Sequence, residues 1–237
     1  MTHEQLEHRS RDFGGTHSPD DEVAAQYEAA FREFVQRPQF PCLGAKGVIR
    51  VNSYVLRVYG ALGCASNASK LLADLTSFNA EYREASFSTF VGVFPELAPT
   101  DETSFERRLW QQLQAIHDAE PNGTCWAKGV SDDPGDPQFS FSVAGRAFFV
   151  VGLHPGSSRL ARRFSVPALV FNPHEQFTRL REEGRFEGLR SAIRARDLLL
   201  QGTENPNLAD FGEESEARQY SGRRTEADWK CPFSRKP

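Results

Sequence analysis

The sequence predicts a single α+β domain in which helices pack on a mostly antiparallel sheet. Three observations carry that prediction. Phe139, Phe141 and Val143 alternate strictly with serines, and Ala144-Gly145-Arg146 then turns into the apolar run Phe148 to Leu153, which is hairpin chemistry. Apolar residues recur at helical spacing over about 20–36, 67–83, 103–118 and 175–200. A chain of 237 residues, 39% of them hydrophobic, suits one large domain that needs neither disulfide nor metal to fold. Alternating strands and helices would also permit an α/β sheet, but the hairpin favours antiparallel pairing.

Residues 1–19 are polar and read as a disordered tail, with the domain spanning 20–237. Ser18 and Pro19 supply a cap and a first-turn proline, and Val23, Tyr27, Phe31 and Phe34 form the stripe of the first helix. Pro38 and Pro41 end it. Val48 to Tyr59 is rich in β-branched residues and reads as a strand. The 67–83 helix turns Leu71, Leu72, Leu75, Phe78 and Tyr82 inward, and Phe87 to Phe94 is a buried strand closed by Pro95 and Pro99. Thr103 or Ser104 caps the next helix, whose stripe is Phe105, Leu109, Leu113 and Ile116. Beyond the hairpin lie a short strand, Ala168 to Phe171, and one helix from Glu175 to about Leu200. The C-terminal stretch carries Phe211, Tyr220, Trp229 and Phe233, so it is expected to pack, with Glu213, Glu214 and Glu216 facing the arginine-rich 159–196 segment.

Several functions are disfavoured by composition. A mean hydropathy of -0.53 and the lack of a long apolar run argue against a membrane span. A formal net charge of -4 argues against a general nucleic-acid binder. Cys42, Cys64, Cys125 and Cys231 form no CxxC pair, so the expectation is free thiols in the cytoplasm rather than a zinc knuckle. No GxSxG, P-loop or GxGxxG stands in a strand–turn–helix setting. Asp132, Asp133 and Asp136 read as a solvated turn.

One stretch concentrates chemistry: Gly152-Leu153-His154-Pro155-Gly156, followed by Arg159, Arg162 and Arg163. A strand delivers His154 to its end, and proline and glycine turn the chain there. Arginine outnumbers lysine 23 to 5 within the total of 28, and from 159 to 196 there are nine Arg against four Glu. His174 follows Pro173 at the next helix start. Two imidazoles near three guanidinium forks on a Phe-rich scaffold suit haem, with imidazole for iron, Arg for propionates and aromatics for the macrocycle. The same residues also read as a structural histidine and an arginine cluster for phosphate, nucleotide or this chain's own acidic tail. Cys42 and Cys231 each sit beside a proline; as thiolates they could ligate iron, and Lys46 or Lys230 could lower their pKa. Buried inert thiols are the competing reading.

FPCLGAKG at 40–47, GLHPGSSRLARRF at 152–164, PALVFNPHEQF at 167–177, EARQYSG at 216–222 and DWKCPF at 228–233 together resemble the YqcI/YcgG family, over roughly residues 24–234. That resemblance implies a haem b protein that uses dioxygen or peroxide to hydroxylate a nitrogen of a small guanidine or amine; with no flavin or NAD(P) fingerprint in the sequence, the electrons are expected from an external donor. His154 and His174 match the family's histidines, Arg159, Arg162 and Arg163 its arginines, and Cys42, Lys46, Cys231 and Pro232 its terminal motifs. His154 is the expected iron ligand, with His174 second and Cys231 third. His174 and Lys46 are the candidate catalytic groups. A non-catalytic haem protein and a small-anion module are the alternatives, and a homodimer stays open.

Overall fold

The computed structural model describes residues 19–235 apart from 98, 100, 206, 208 and 210, so the Ser18 cap and all of the expected 1–19 tail except Pro19, which begins the first helix, lie outside the described residues. The hairpin forms around Ala144 and Gly145, both with positive φ (50° and 73°), the backbone that a two-residue hairpin turn requires. It joins β3 (Phe141–Val143) to β4 (Arg146–Leu153). Residue 139 falls outside the pairing and makes an isolated bridge to Ser131. β4 pairs along its length with β5 (Ala168–Pro173), from Phe148 opposite Pro173 to Leu153 opposite Ala168. β5 then pairs antiparallel with β2 (Thr89–Val93), whose five residues are all buried. The order is completed by β1 (Tyr54–Val58), parallel to β2, giving β1-β2-β5-β4-β3. A parallel pair needs a long crossover, and α3 (Ala68–Glu81) supplies it. The expected mostly antiparallel α+β sheet is present.

Period-two alternation divides the core between the faces. Phe90, Phe148, Val150, Leu169 and Phe171 share a cluster with Leu71, Leu75 and Phe78 of α3 and with Phe105, Leu109 and Leu113 of α4 (Glu102–Ala119). Tyr220 and Phe233 belong to that cluster, so the C-terminal stretch is packed as expected, and its short helix α7 (Ala217–Tyr220) lies against β4. On the other face, Leu56, Val91, Val93, Leu153 and Ala168 meet Phe31, Phe34 and Val35 of α1 (Pro19–Gln36) and Val48 and Ile49 of α2 (Leu43–Arg50).

Three local expectations are corrected. Residues 43–50 are helix rather than the start of a strand, and β1 begins only at Tyr54. The Cys42 sulfur caps α2 by accepting from Ala45 N at 3.4 Å, and burial of Val48 and Ile49 outweighs their β propensity. The α4 cap is Asp101, which accepts from Ser104 N at 2.7 Å; Ser104 sits at the third helical position and completes a capping box. The single helix expected over 175–200 is two, α5 (His174–Glu182) and α6 (Phe186–Gln201), because Gly184 adopts a left-handed φ of 68° between them.

Candidate functional site

His154 follows the last residue of β4. Its N–H donates to Arg162 O at 3.0 Å and its carbonyl accepts from Ser157 N at 3.2 Å, so residues 154–162 close into a compact loop. The ring stacks on Phe105 of α4, with centroids 4.2 Å apart. It is 0% exposed, and neither ring nitrogen has a hydrogen-bond partner. Burial lowers its pKa to about 4; Glu102 opposes that shift and Arg162 adds to it. A side chain with no accessible surface borders no water-sized void, so no ligand atom reaches this imidazole in the structure described.

Two of the three arginines expected to meet propionates are engaged inside the protein, and the third, Arg163, is exposed. Arg159 pairs with Asp197 of α6 and donates to the carbonyls of Thr203 and Glu204. Arg162, its pKa lowered to about 10 by burial, donates to Gly152 O at 3.4 Å and Tyr220 O at 2.9 Å. Arg163 gives its Nε to Ser157 O at 3.0 Å. Glu102 of α4 also accepts from Ser158 N and Oγ, while Gln201 of α6 bonds Leu160 N and Ser158 O. Side chains from two helices and a tail carbonyl thus fix the loop, and two of its three arginines serve as cross-braces.

His174 stands elsewhere. Since residue 148 pairs with 173 and 153 with 168, the two histidines lie at opposite ends of the β4–β5 pair, about 20 Å apart along the strands at ~3.3 Å per residue. They cannot share one iron. His174 is the first residue of α5, and that turn is anchored to β4 by an Arg146–Glu175 ion pair at 2.5 Å. Its ring is part-exposed, its Nδ1 is buried without a partner, and Phe211 approaches edge-on at 4.5 Å. One turn along, Phe177 meets Phe149 of β4 at 6.2 Å. The His174 pKa is lowered to about 4, first by burial and then by Arg181, with Glu175 opposing. A half-open, neutral imidazole with aromatic neighbours and a guanidinium within its field therefore lies at this end.

The remaining candidates gather at neither histidine. Lys46 Nζ donates to the Gln36 and Arg37 carbonyls and so caps the end of α1. Burial raises the pKa of the Cys42 thiol, and the expectation that Lys46 lowers it is corrected. Cys231 lies on a surface cavity of about 550 Å³ with Trp229, Arg218 and Glu214, and burial raises its pKa to about 12. Burial thus favours the protonated form of both thiols, so neither is activated as a thiolate by its surroundings.

Sequence reasoning missed Phe149, Phe177, Phe211 and Arg181 around His174. The i+3 and i+7 spacing of Phe177 and Arg181 after His174 was a readable signal for two of them. Phe211 was readable as a C-terminal aromatic needing cover, but nothing in the sequence placed it against His174. Among the described residues no three His, Cys, Asp or Glu side chains converge as a metal site.

The fold and site define an α+β protein with a part-exposed imidazole, that of His174, where β5 runs into α5. The YqcI/YcgG family model matches residues 31–234, and the chain belongs to that family. Comparison with curated proteins and with solved structures gave no match.

Proposed function

We propose that this protein is a haem-dependent N-oxygenase that hydroxylates a nitrogen of a small guanidine or amine, and that His174 presents the imidazole to the iron. The observation that carries the proposal is the state of that ring: neutral, part-exposed and without a partner for its Nδ1. The residues fit the group. An imidazole ligand must be unprotonated, which burial and Arg181 favour. A macrocycle needs flat apolar company, and Phe149, Phe177 and Phe211 are grouped at this end of the sheet. Its carboxylate arms need a cation, and Arg181 is exposed two turns along α5. His154 has no free approach, and Arg159 and Arg162 are already engaged, which also deprives the small-anion reading of its support.

When bound, haem b would supply the redox chemistry that dioxygen and an external electron donor need to oxidise nitrogen. The protein's own part is to bind, orient and exclude water. Arg146–Glu175 fixes the first turn of α5, Phe211 covers one side of the His174 ring, and the aromatic group keeps its surroundings apolar. Four free cysteines agree with a cytoplasmic location for this activity.

The test is haemin titration of the purified chain, followed by mass spectrometry of guanidine and amine substrates incubated with dioxygen and reductant. A Soret band that is lost in His174→Ala but kept in His154→Ala, together with a product heavier by one oxygen atom, is expected. A Soret band without product from any substrate would mark a non-catalytic haem protein. No Soret band at all would end the haem reading.

A further inference from the structure

Glu216 and Tyr220 lie one turn apart at α7, and both side chains are buried, Glu216 4% exposed and Tyr220 0%. The Tyr220 hydroxyl sits at the Phe141–Phe148 pair of the hairpin. Phe141 N–H donates to it at 3.0 Å, the Phe148 carbonyl lies 3.1 Å away, and Glu216 Oε1 is at 2.6 Å. A phenol has one hydrogen to give and lone pairs to receive. All three contacts are made together only when Glu216 is a neutral acid: its O–H and the Phe141 N–H donate to the Tyr220 oxygen, which donates to Phe148. An ionised Glu216 would draw the Tyr220 hydrogen to itself, take it from Phe148, and leave a charge in the Phe139–Phe141–Phe148 core.

The groups around Glu216 agree. Burial is the main influence and raises its pKa to about 8, while hydrogen bonds from Tyr220 and Ser140 and the charge of Arg181 on α5 oppose it. On β4, residues 147–153 carry no ionisable group, and Arg146 is paired with Glu175. On α7, Arg218 is engaged with the carbonyls of Glu226, Ala227 and Trp229. Glu213 and Glu214 line the surface cavity.

We propose that Glu216 is a proton-operated latch: neutral, it holds the 211–233 segment against the sheet, and ionised, it releases that segment and uncovers the His174 ring. The same segment supplies Phe211 over His174, Tyr220 O for Arg162, and Ser221 and Arg223 for Glu106. A carboxyl whose pKa is higher folded than unfolded contributes stability in full below the unfolded value, here 4.5, and loses it as pH rises through about 8. The latch is therefore still shut at neutral pH, but its hold weakens from about pH 4.5 upward and is spent by about pH 8. It operates whether or not His174 holds a haem.

Hydrogen exchange of the haem-free full chain, corrected for intrinsic rates, reads the latch directly between about pH 6 and about pH 9.5. Protection over 211–223 should fall about tenfold or more across that range while β2 is unchanged. Glu216→Gln, whose amide still donates to Tyr220, should be flat. Unchanged protection in the wild type, or an equal loss in β2, overturns the proposal. Infrared spectra of the wild type decide the matter should Glu216→Gln fail to fold. A protonated-carboxyl band at neutral pH that vanishes in alkali supports the latch, and its absence at neutral pH overturns it.

Discussion

At one end of the β4–β5 pair an imidazole is sealed against Phe105; at the other an imidazole is half open beneath Phe211. Both are neutral, both have pKa values lowered to about 4, and burial is the leading cause for each. Titration behaviour alone would rank them equal. What separates them is access. His154 is surrounded by braces that end on α4, α6 and the tail, whereas His174 is fixed through its backbone and its neighbour Glu175, leaving its ring less encumbered. A buried histidine with unpaired nitrogens is thus only half of a ligand site, and the other half is a way in.

Several experiments would break or sharpen that contrast. The largest effect is expected from deleting residues 212–237, which removes Tyr220, Trp229 and Phe233 and the Arg162 acceptor at the sealed end. At ~1.5–3 kcal/mol for each of fully buried Tyr220 and Phe233, with less from half-buried Trp229, the loss is a large share of a domain's usual ~5–15 kcal/mol. Circular dichroism should show a melt at much lower temperature than that of the full chain, and an unchanged melt would mean that both ends hold without the tail. Next, His174→Ala should weaken haemin binding at least about tenfold, a loss of ~1.4 kcal/mol or more, while His154→Ala changes it little. The reverse result would exchange the roles of the two ends.

Acid should distinguish them more quietly. A histidine whose pKa is lower folded than unfolded contributes stability in full above the unfolded value, here 6.5, and loses it as pH falls through about 4. For sealed His154 the total is on the order of 3 kcal/mol, and less is expected for the part-exposed His174. Urea titrations between about pH 7 and about pH 4 should show this acid limb flattened in His154→Leu, which leaves no unpaired ring nitrogen behind. An unchanged limb would mean that His154 is not held neutral by burial. The smallest effect concerns Gly222, whose φ is 82° and whose added Cβ would lie 2.5 Å from Arg162 Cδ. Gly222→Ala should cost about 1–2 kcal/mol and loosen only the sealed end. Thermal melts combined with haemin titration would show whether the open end stays untouched.

The hairpin, the helical stripes and the packed C-terminal aromatics were legible because each is a local pattern: alternation, 3.6-residue spacing, or aromatics that need cover. The α2 helix was not, since Val48 and Ile49 favour strand until α1 supplies the surface that buries them. His174 was visible as a candidate, yet nothing in its neighbourhood announced Phe149 or Phe211, which arrive through strand register and a distant loop. Arg159 and Arg162 misled for a related reason. A cluster of guanidinium groups looks the same in sequence whether its anions come from a ligand or, like Asp197 and the Tyr220 carbonyl, from the same chain.

β3 is only three residues long and pairs with residues 146–148, so among the described residues no strand lies beside Phe149 to Leu153 on the side away from β5. That flank is an edge, and an apolar edge is a template for pairing with another chain. Arg162 occupies the Gly152 carbonyl and Tyr220 the Phe148 carbonyl, so a guanidinium and a phenol blunt it in place of a sixth strand. Cleavage or release of the tail would turn Phe149-Val150-Val151 into an adhesive ribbon. Loss of the C-terminal segment is therefore expected to favour edge-to-edge aggregation.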